Sequence, residues 1–219
     1  DAHGELIPEE GVTRTNTRNV AGGVLSTTCT LGPPTGGDLF VYRSGSFSGD
    51  AFDDMYNIGG VGANNELLAG LASSNGSTIQ FSFDCSVTFN GDPVPLAGLV
   101  MADAEQSGSG QNEYVQATIG PEGTWRIIDR YRTPGCTSST PATLTADNTL
   151  RLGGANPLCA AGPAAVAFME GVSSAQVEIN GGGVSAIALG VMLFTDFGDA
   201  PSSYGDAGAL YSPPFTGGT

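Results

Sequence analysis

Hydrophobic and polar residues alternate most regularly between Ile79 and Phe89. The apolar residues occupy the odd-numbered positions of this stretch: Ile79, Phe81, Phe83, Cys85, Val87 and Phe89. The polar residues occupy the even-numbered positions: Gln80, Ser82, Asp84, Ser86 and Thr88. A period of two places successive side chains on opposite faces of a strand. The pattern therefore predicts a β-strand with one buried face and one solvated face.

Asn-Gly pairs flank this stretch. Asn75-Gly76 precedes it and Asn90-Gly91 follows it, and Asn-Gly is a strong hairpin signal because both residues tolerate a positive φ. We expect an antiparallel meander that continues through Leu96–Met101. A third pair, Asn180-Gly181, is predicted to turn the last two strands into a hairpin.

Several other stretches have the apolar and β-branched character of strands, whereas only Asn64–Ala72 resembles a short helix. The predicted strands are Gly23–Leu31, Asp38–Tyr42, Glu113–Thr118, Thr124–Tyr131, Ala164–Glu170, Ala175–Ile179 and Val184–Phe194. About ten short strands with frequent turn signals and no alternating helices are typical of an all-β sandwich. We predict a lectin-like antiparallel β-sandwich of the jelly-roll type.

Composition divides the chain into three parts. Residues 1–20 are polar and are predicted to be an N-terminal lead-in strand or tether. Residues 21–197 form the predicted β-sandwich domain that binds the ligand. Residues 198–219 are rich in glycine and proline and are predicted to be a spacer towards a following module.

The charge balance excludes several functions. The chain of 219 residues has 22 acidic residues and seven arginines, contains no lysine, and carries a net charge of −15. Binding to a phosphate backbone needs clustered cations, so no nucleic-acid partner is expected. Schiff-base catalysis and lysine-mediated phosphate binding are excluded, since both require a lysine. The longest apolar stretch is too short for a membrane helix, so no membrane insertion is expected.

Four widely spaced cysteines indicate two disulfides in an oxidising compartment. Four cysteines allow three connectivities. We favour Cys29 with Cys85 and Cys136 with Cys159, because each pair then joins segments that can be neighbours in a sheet.

Catalytic residues are scarce. His3 is the only histidine, so Ser-His-Asp and Cys-His machinery is missing. Paired carboxylates at Asp103 and Glu105 leave glycoside hydrolysis as an alternative, although a polar strand end is the simpler interpretation. We predict a protein that is not an enzyme.

The best candidate binding site is a group of oxygen ligands: Asp50, Asp53, Asp54 and Asn57. Such hard donors suit calcium, with Asp50, Asp53 and Asp54 as its possible metal ligands, but the EF-hand spacing is missing and a solvated acidic loop is the simpler interpretation. No cofactor is certain. Loops on a rigid sandwich are common recognition sites, so we predict that this group binds the ligand, joined by Asp103 and Glu105.

Arginines alternate with apolar residues near Trp125. Arg126, Arg130 and Arg132 give one strand a basic face. Pairing with nearby carboxylates is the simpler interpretation, and an acidic partner is the alternative.

Three stretches together resemble one family. They are 45–54 (GSFSGDAFDD), 98–105 (GLVMADAE) and 197–205 (FGDAPSSYG). Over roughly residues 20–205 the chain is similar to the second non-repetitive domain of CshA-type surface adhesins of Gram-positive bacteria. The four cysteines are a departure from the streptococcal members, which leaves the ligand more open than the fold.

The resemblance implies an extracellular module that is monomeric within a longer, cell-wall-anchored surface protein. Its implied partner is a host matrix glycoprotein such as fibronectin, and it supplies no residue-level binding motif. Two alternatives remain: a carbohydrate-binding module or glycosidase, and a structural spacer in a surface fibre.

Overall fold

The computed structural model describes residues 4–20, 22–42, 70–73, 76–103, 113–131, 142–153, 164–182, 185–193, 195–197 and 208–210. All of the regular structure in these ranges is β-strand. The strands are β1 (Val12–Val20), β2 (Gly23–Leu31), β3 (Leu39–Tyr42), β4 (Gly70–Ser73), β5 (Thr78–Phe89), β6 (Asp92–Val94), β7 (Gly98–Asp103), β8 (Tyr114–Thr118), β9 (Thr124–Tyr131), β10 (Ala142–Leu144), β11 (Thr149–Gly153), β12 (Ala164–Glu170), β13 (Ser174–Asn180), β14 (Ala186–Met192), β15 (Thr195–Phe197) and β16 (Gly208–Leu210).

The strands form two large antiparallel sheets. The eight-stranded sheet has the order β1-β2-β5-β13-β8-β11-β10, with β6 paired to β5, and the six-stranded sheet has the order β3-β4-β14-β7-β12-β9. Two further strands, β15 and β16, pair with each other. The predicted all-β, antiparallel sandwich is confirmed.

The core lies between the two sheets. One face of β5 contributes Ile79, Phe81 and Phe83, and the opposite sheet contributes residues such as Leu99 and Met101, all at most 4% exposed. Burial on β5 alternates residue by residue, as the sequence pattern predicts. Apolar area removed from water between the sheets is therefore the main stabilising contribution.

The turn at Asn90-Gly91 is confirmed. Both residues have positive φ, 52° and 91°, and Phe89 pairs with Asp92 across the turn. The Asn90 side chain also accepts a hydrogen bond from the Val24 amide at 2.8 Å and donates one to the Gly22 carbonyl at 3.3 Å. This residue therefore joins the β5–β6 hairpin to the β1–β2 hairpin.

Two strand pairings differ from the prediction. The meander does not continue into β7, because the chain crosses to the other sheet after β6; Pro93 and Pro95 flank Val94 and proline supplies no ladder N–H. Asn180-Gly181 does not close a hairpin either, since β13 and β14 lie in different sheets. The apolar face of each strand is buried against the opposite sheet. A local turn signal cannot show whether two successive strands pair with each other or lie in different sheets.

The predicted helix at Asn64–Ala72 is wrong at its C-terminal end. Gly70–Ser73 is a strand, in which Leu71 pairs with Val41 on one side and with Ile187 on the other. Residues 64–69 lie outside the described ranges. Sheet pairing on both sides determines the conformation of this segment, and helix propensity is too weak to oppose it.

The described part of the polar N-terminus also enters the sheets. Val12–Val20 pairs with β2 along its whole length. Before it, Gly4 and Ile7 donate backbone hydrogen bonds to Val41 and Leu39 of β3, each at 2.8 Å. Within the described ranges no helix is long and apolar enough to cross a membrane.

Candidate functional site

A groove of about 180 Å³ opens between the β1–β2–β5 side of the larger sheet and the β3–β4 side of the smaller one. Apolar side chains such as Leu31, Leu71 and Phe83 line it, together with Cys29 and the charged Arg14. This lining suits an apolar group next to an anionic one, because a guanidinium at the edge of an apolar surface attracts a carboxylate.

The groove lies where the segment with the predicted acidic group joins the sandwich. Val41 and Gly70 both line it, and Tyr42 pairs with Gly70. The chain therefore leaves β3 and re-enters at β4 beside the groove. The residues Asp50, Asp53, Asp54 and Asn57 belong to the intervening segment 43–69, outside the described residues.

Asp103 is in the interior of the sandwich. It ends β7 on the face that carries Leu99 and Met101, and it is 1% exposed. A macromolecular ligand at the surface would not touch a carboxylate buried in this way. Glu105 lies outside the described residues.

The described residues do not bring Asp103 near the start of the acidic segment. Asp103 lies in the same row as Val41, through Ile187 and Leu71, but β3 and β7 are three places apart in the sheet. At the usual strand spacing this is about 14 Å. The two strands are also antiparallel to each other, so the chain leaves them towards opposite ends of the sheet.

Polar groups are buried around the end of the sandwich where β7 finishes. Besides Asp103, they include Glu113 at 5% exposure, Ser73 at 0% and Ser185 at 1%. The Ser73 amide donates to the Ser185 carbonyl at 3.0 Å. Among the described residues no group of three histidine, cysteine or acidic side chains could hold a metal ion.

The outer face of the larger sheet carries a polar network that the sequence did not reveal. The Glu178 carboxylate accepts hydrogen bonds from the Tyr114 hydroxyl at 2.7 Å and from the Gln116 amide at 3.0 Å. Arg151 donates to the Gln116 side chain at 2.7 Å and stacks over the Tyr114 ring, 3.6 Å from its centroid. Burial, followed by the bond to Glu178, raises the pKa of Tyr114.

This network joins strands that are far apart in sequence, β8, β11 and β13. The alternation of polar residues in each strand is visible in the sequence, but the order of the strands is not. Its hydrogen bonds connect three neighbouring strands, so it stabilises the sheet face.

One arginine of the predicted basic strand has its partner in the structure. The Arg126 side chain bonds to Glu170 on β12 at 2.6 Å, which confirms local pairing for this residue. The side chain of Arg130 and all of Arg132 lie outside the described residues.

The predicted disulfide between Cys29 and Cys85 is confirmed. The two residues face each other on β2 and β5. Cys136 and Cys159 lie outside the described residues, so their bridge stays a prediction.

The comparisons with known proteins identify similar domains. Residues 2–192 match the family described as surface adhesin CshA non-repetitive domain 2. Among solved structures, the N-terminal domain of the Streptococcus gordonii adhesin Sgo0707 is similar with a TM-score of 0.45 and 8% identity, covering 84% of this chain and 48% of that one. The chain thus spans about half the length of that structure. The comparison with curated proteins gave no significant match.

Proposed function

Because this chain belongs to the family of surface adhesin CshA non-repetitive domain 2, we propose that it is a non-catalytic adhesive module that binds a host matrix glycoprotein such as fibronectin. The family match over residues 2–192 is the observation that carries this proposal. Membership of a surface adhesin family implies a location outside the cell, at its surface. Attachment to the cell wall through a longer parent protein is part of the proposal.

The binding site is proposed to be the acidic segment between β3 and β4, with Asp50, Asp53, Asp54 and Asn57 as its recognition groups. Support comes from the strands that hold the segment: both of its ends join the sandwich beside the groove lined by Val41 and Gly70. Segments carried by a rigid sandwich are common recognition sites.

Asp103 is treated differently in this proposal. Its carboxylate is buried at the strand end from which the chain continues to Glu105. We therefore leave Asp103 out of the proposed recognition groups and keep Glu105, two residues further along the chain, among them.

The test compares two pairs of adjacent acidic residues that change the net charge equally. Asp53→Ala with Asp54→Ala removes two carboxylates from the proposed site. Glu9→Ala with Glu10→Ala removes two exposed carboxylates from the turn before β1 and serves as the control. Binding to immobilised fibronectin and to a panel of matrix glycoproteins is measured by surface plasmon resonance.

We expect the site variant to lose at least about tenfold in affinity, as at an interface hot spot, and the control to bind as the native protein does. Exposed loop substitutions usually cost under about 0.5 kcal/mol, so both variants should melt near the native temperature. Full binding by a folded site variant would contradict the proposed site.

Calcium is tested with the same variants. If Asp50, Asp53 and Asp54 hold a structural calcium ion, EDTA should lower the melting temperature of the native protein and leave the site variant unchanged. Full binding by the site variant, together with no effect of EDTA on the melting temperature, would favour the simpler interpretation of these residues as a solvated acidic loop.

The alternatives predict other outcomes. Binding confined to a glycan array would favour a carbohydrate-binding module, and no binding in either assay would favour a structural spacer. Turnover of a glycoside that is lost in Glu105→Ala would overturn the non-catalytic assignment.

A further inference from the structure

The edge strand of the larger sheet, β1, has the features of a docking strand. It is nine residues long, contains no proline, and pairs with β2 in an unbroken register. Eight of its nine residues are exposed. Within the described ranges no strand pairs with its outer edge. Long, regular edges readily accept another strand, and natural proteins usually shorten, bulge or interrupt them.

The pairing identifies the backbone groups that face outward. The Val24 amide and carbonyl both bond to Asn90, each at 2.8 Å, so they point away from β1. Asn19, the partner of Val24, is therefore in a non-hydrogen-bonded pair, and its own N–H and C=O point to the free edge. By alternation the same holds for Thr13, Thr15 and Thr17.

The side chains divide between the two faces of β1. On the outer face of the sandwich, hydroxyl pairs continue the ladder from Thr13 to Thr30 at 2.8 Å, from Thr15 to Thr28 at 2.8 Å, and from Thr17 to Ser26 at 3.2 Å. The other face carries Arg14, Asn16 and Arg18. The Arg14 guanidinium also donates to the outward carbonyl of Thr13 at 3.4 Å, which places a positive charge at the free edge.

Charge determines which strand fits. Residues 12–31, which form β1, its turn and β2, contain two arginines and no acidic residue, in a chain with a net charge of −15. A second copy of β1 would bring arginines against arginines, which is destabilising for neighbouring strands. A partner strand with acidic residues at alternate positions would instead pair with them.

We propose that the free edge of β1 binds an extended acidic peptide segment of a partner protein, which adds to the larger sheet as a further strand. Backbone hydrogen bonds from Thr13, Thr15, Thr17 and Asn19 supply affinity. Acidic side chains beside Arg14 and Arg18 supply selectivity. The proposed edge consists of β1 alone and uses none of the recognition groups of the segment 43–69; Arg14 also lines the groove beside which that segment joins the sandwich.

The probe is a fluorescent nine-residue peptide that alternates glutamate with threonine, so that one face meets the arginines and the other continues the threonine ladder. The control peptide has lysine in place of each glutamate. Binding to the native domain is measured by fluorescence anisotropy at low and high salt. We expect the acidic peptide alone to bind, with an affinity that falls as salt is raised.

Two variants test the backbone. Thr15→Pro removes an outward N–H without removing a bond to β2, and Thr15→Val removes the hydroxyl but keeps the N–H. We expect at least about tenfold weaker binding for the proline variant, because an added strand loses a ladder hydrogen bond and meets the ring. The valine variant should lose much less affinity than the proline variant, because it removes one hydroxyl of the ladder and keeps the N–H.

Two further variants test charge. Arg14→Gln with Arg18→Gln should weaken binding about five- to tenfold, since exposed ion pairs contribute modestly. Arg126→Gln, which removes a charge from the other sheet, should leave binding unchanged. The arginine variants do not change the backbone of β1. They therefore still test the proposal if the Thr15→Pro variant fails to fold.

Failure of the acidic peptide to bind, or equal binding of both peptides, would overturn the proposal. A dimer that is seen by sedimentation and is abolished by Thr15→Pro would show that a second copy of the chain occupies the edge. That result would also overturn the proposal. Asp53→Ala with Asp54→Ala should leave peptide binding unchanged, so this result is independent of the adhesive site.

Discussion

The Cys29–Cys85 disulfide should contribute strongly to the stability of the larger sheet. The bridge closes a loop between residues 56 positions apart, and this loop includes β3, β4 and the segment 43–69. Restricting the unfolded chain over such a loop is worth about 4 kcal/mol at 25 °C on the chain-entropy model. The residues are directly opposed on β2 and β5, so the ladder already brings them together in the folded state.

The sharpest test uses the variant Cys136→Ala with Cys159→Ala, in which Cys29 and Cys85 are the only remaining cysteines. Comparing its oxidised and reduced forms changes only the crosslink and leaves no cavity. Substituting Cys85 instead would remove the crosslink and also change the packing of the core, because Cys85 is 6% exposed and belongs to the core.

The assay is differential scanning calorimetry with and without a phosphine reductant, with thiols counted by mass spectrometry. For a domain of this size, 4 kcal/mol corresponds to a fall in melting temperature of about 8 to 16 °C on reduction. A fall of less than about 3 °C would refute the loop-closure argument. Two free thiols in the oxidised variant would show that the bridge itself does not form.

Two other changes have defined outcomes. Raising the pH from 9 to 11 should lower the melting temperature of the native protein more than that of Tyr114→Phe. Burial and the bond to Glu178 raise the pKa of Tyr114 above its ordinary value of 10.0, so the stabilisation by Tyr114 is complete below that value and is lost as the pH rises through the folded-state pKa. Equal alkaline losses, measured by thermal melts at each pH, would contradict this. Asn90→Ala should cost about 2 kcal/mol through its positive φ and the lost bond to Val24, whereas Asn90→Gly should recover the backbone part; denaturant titration that finds the two variants equally stable would show that φ is unimportant there.

The strands could be predicted from sequence because their signal is local. Gly23–Leu31, Thr124–Tyr131 and Ala164–Glu170 have in the structure the bounds that their sequence patterns predict. Strand partners depend on long-range packing, which is why the local signal at Asn180-Gly181 wrongly predicts a hairpin. The pairing of Cys29 with Cys85 can be predicted because a disulfide requires its two strands to be neighbours. A cysteine pair therefore carries information about a long-range contact.

Candidate sites are predictable only as far as their residues are close in sequence. Asp50, Asp53, Asp54 and Asn57 form a group in the sequence whatever the fold, whereas Asp103 could be judged only once its burial was known.

The edge of β1 is the opposite case, because nothing in its own sequence identifies it. The polar stretch from Thr13 to Arg18, in which threonine alternates with arginine or asparagine, is compatible with a flexible tether. It becomes a binding surface only through the strand order, which leaves β1 at the end of the sheet, and through the contact between Val24 and Asn90, which directs alternate N–H groups outward. Both depend on residues more than 60 positions away. A charged edge strand is therefore a property of the fold, and its partner is inferred from the free backbone groups and the charge together.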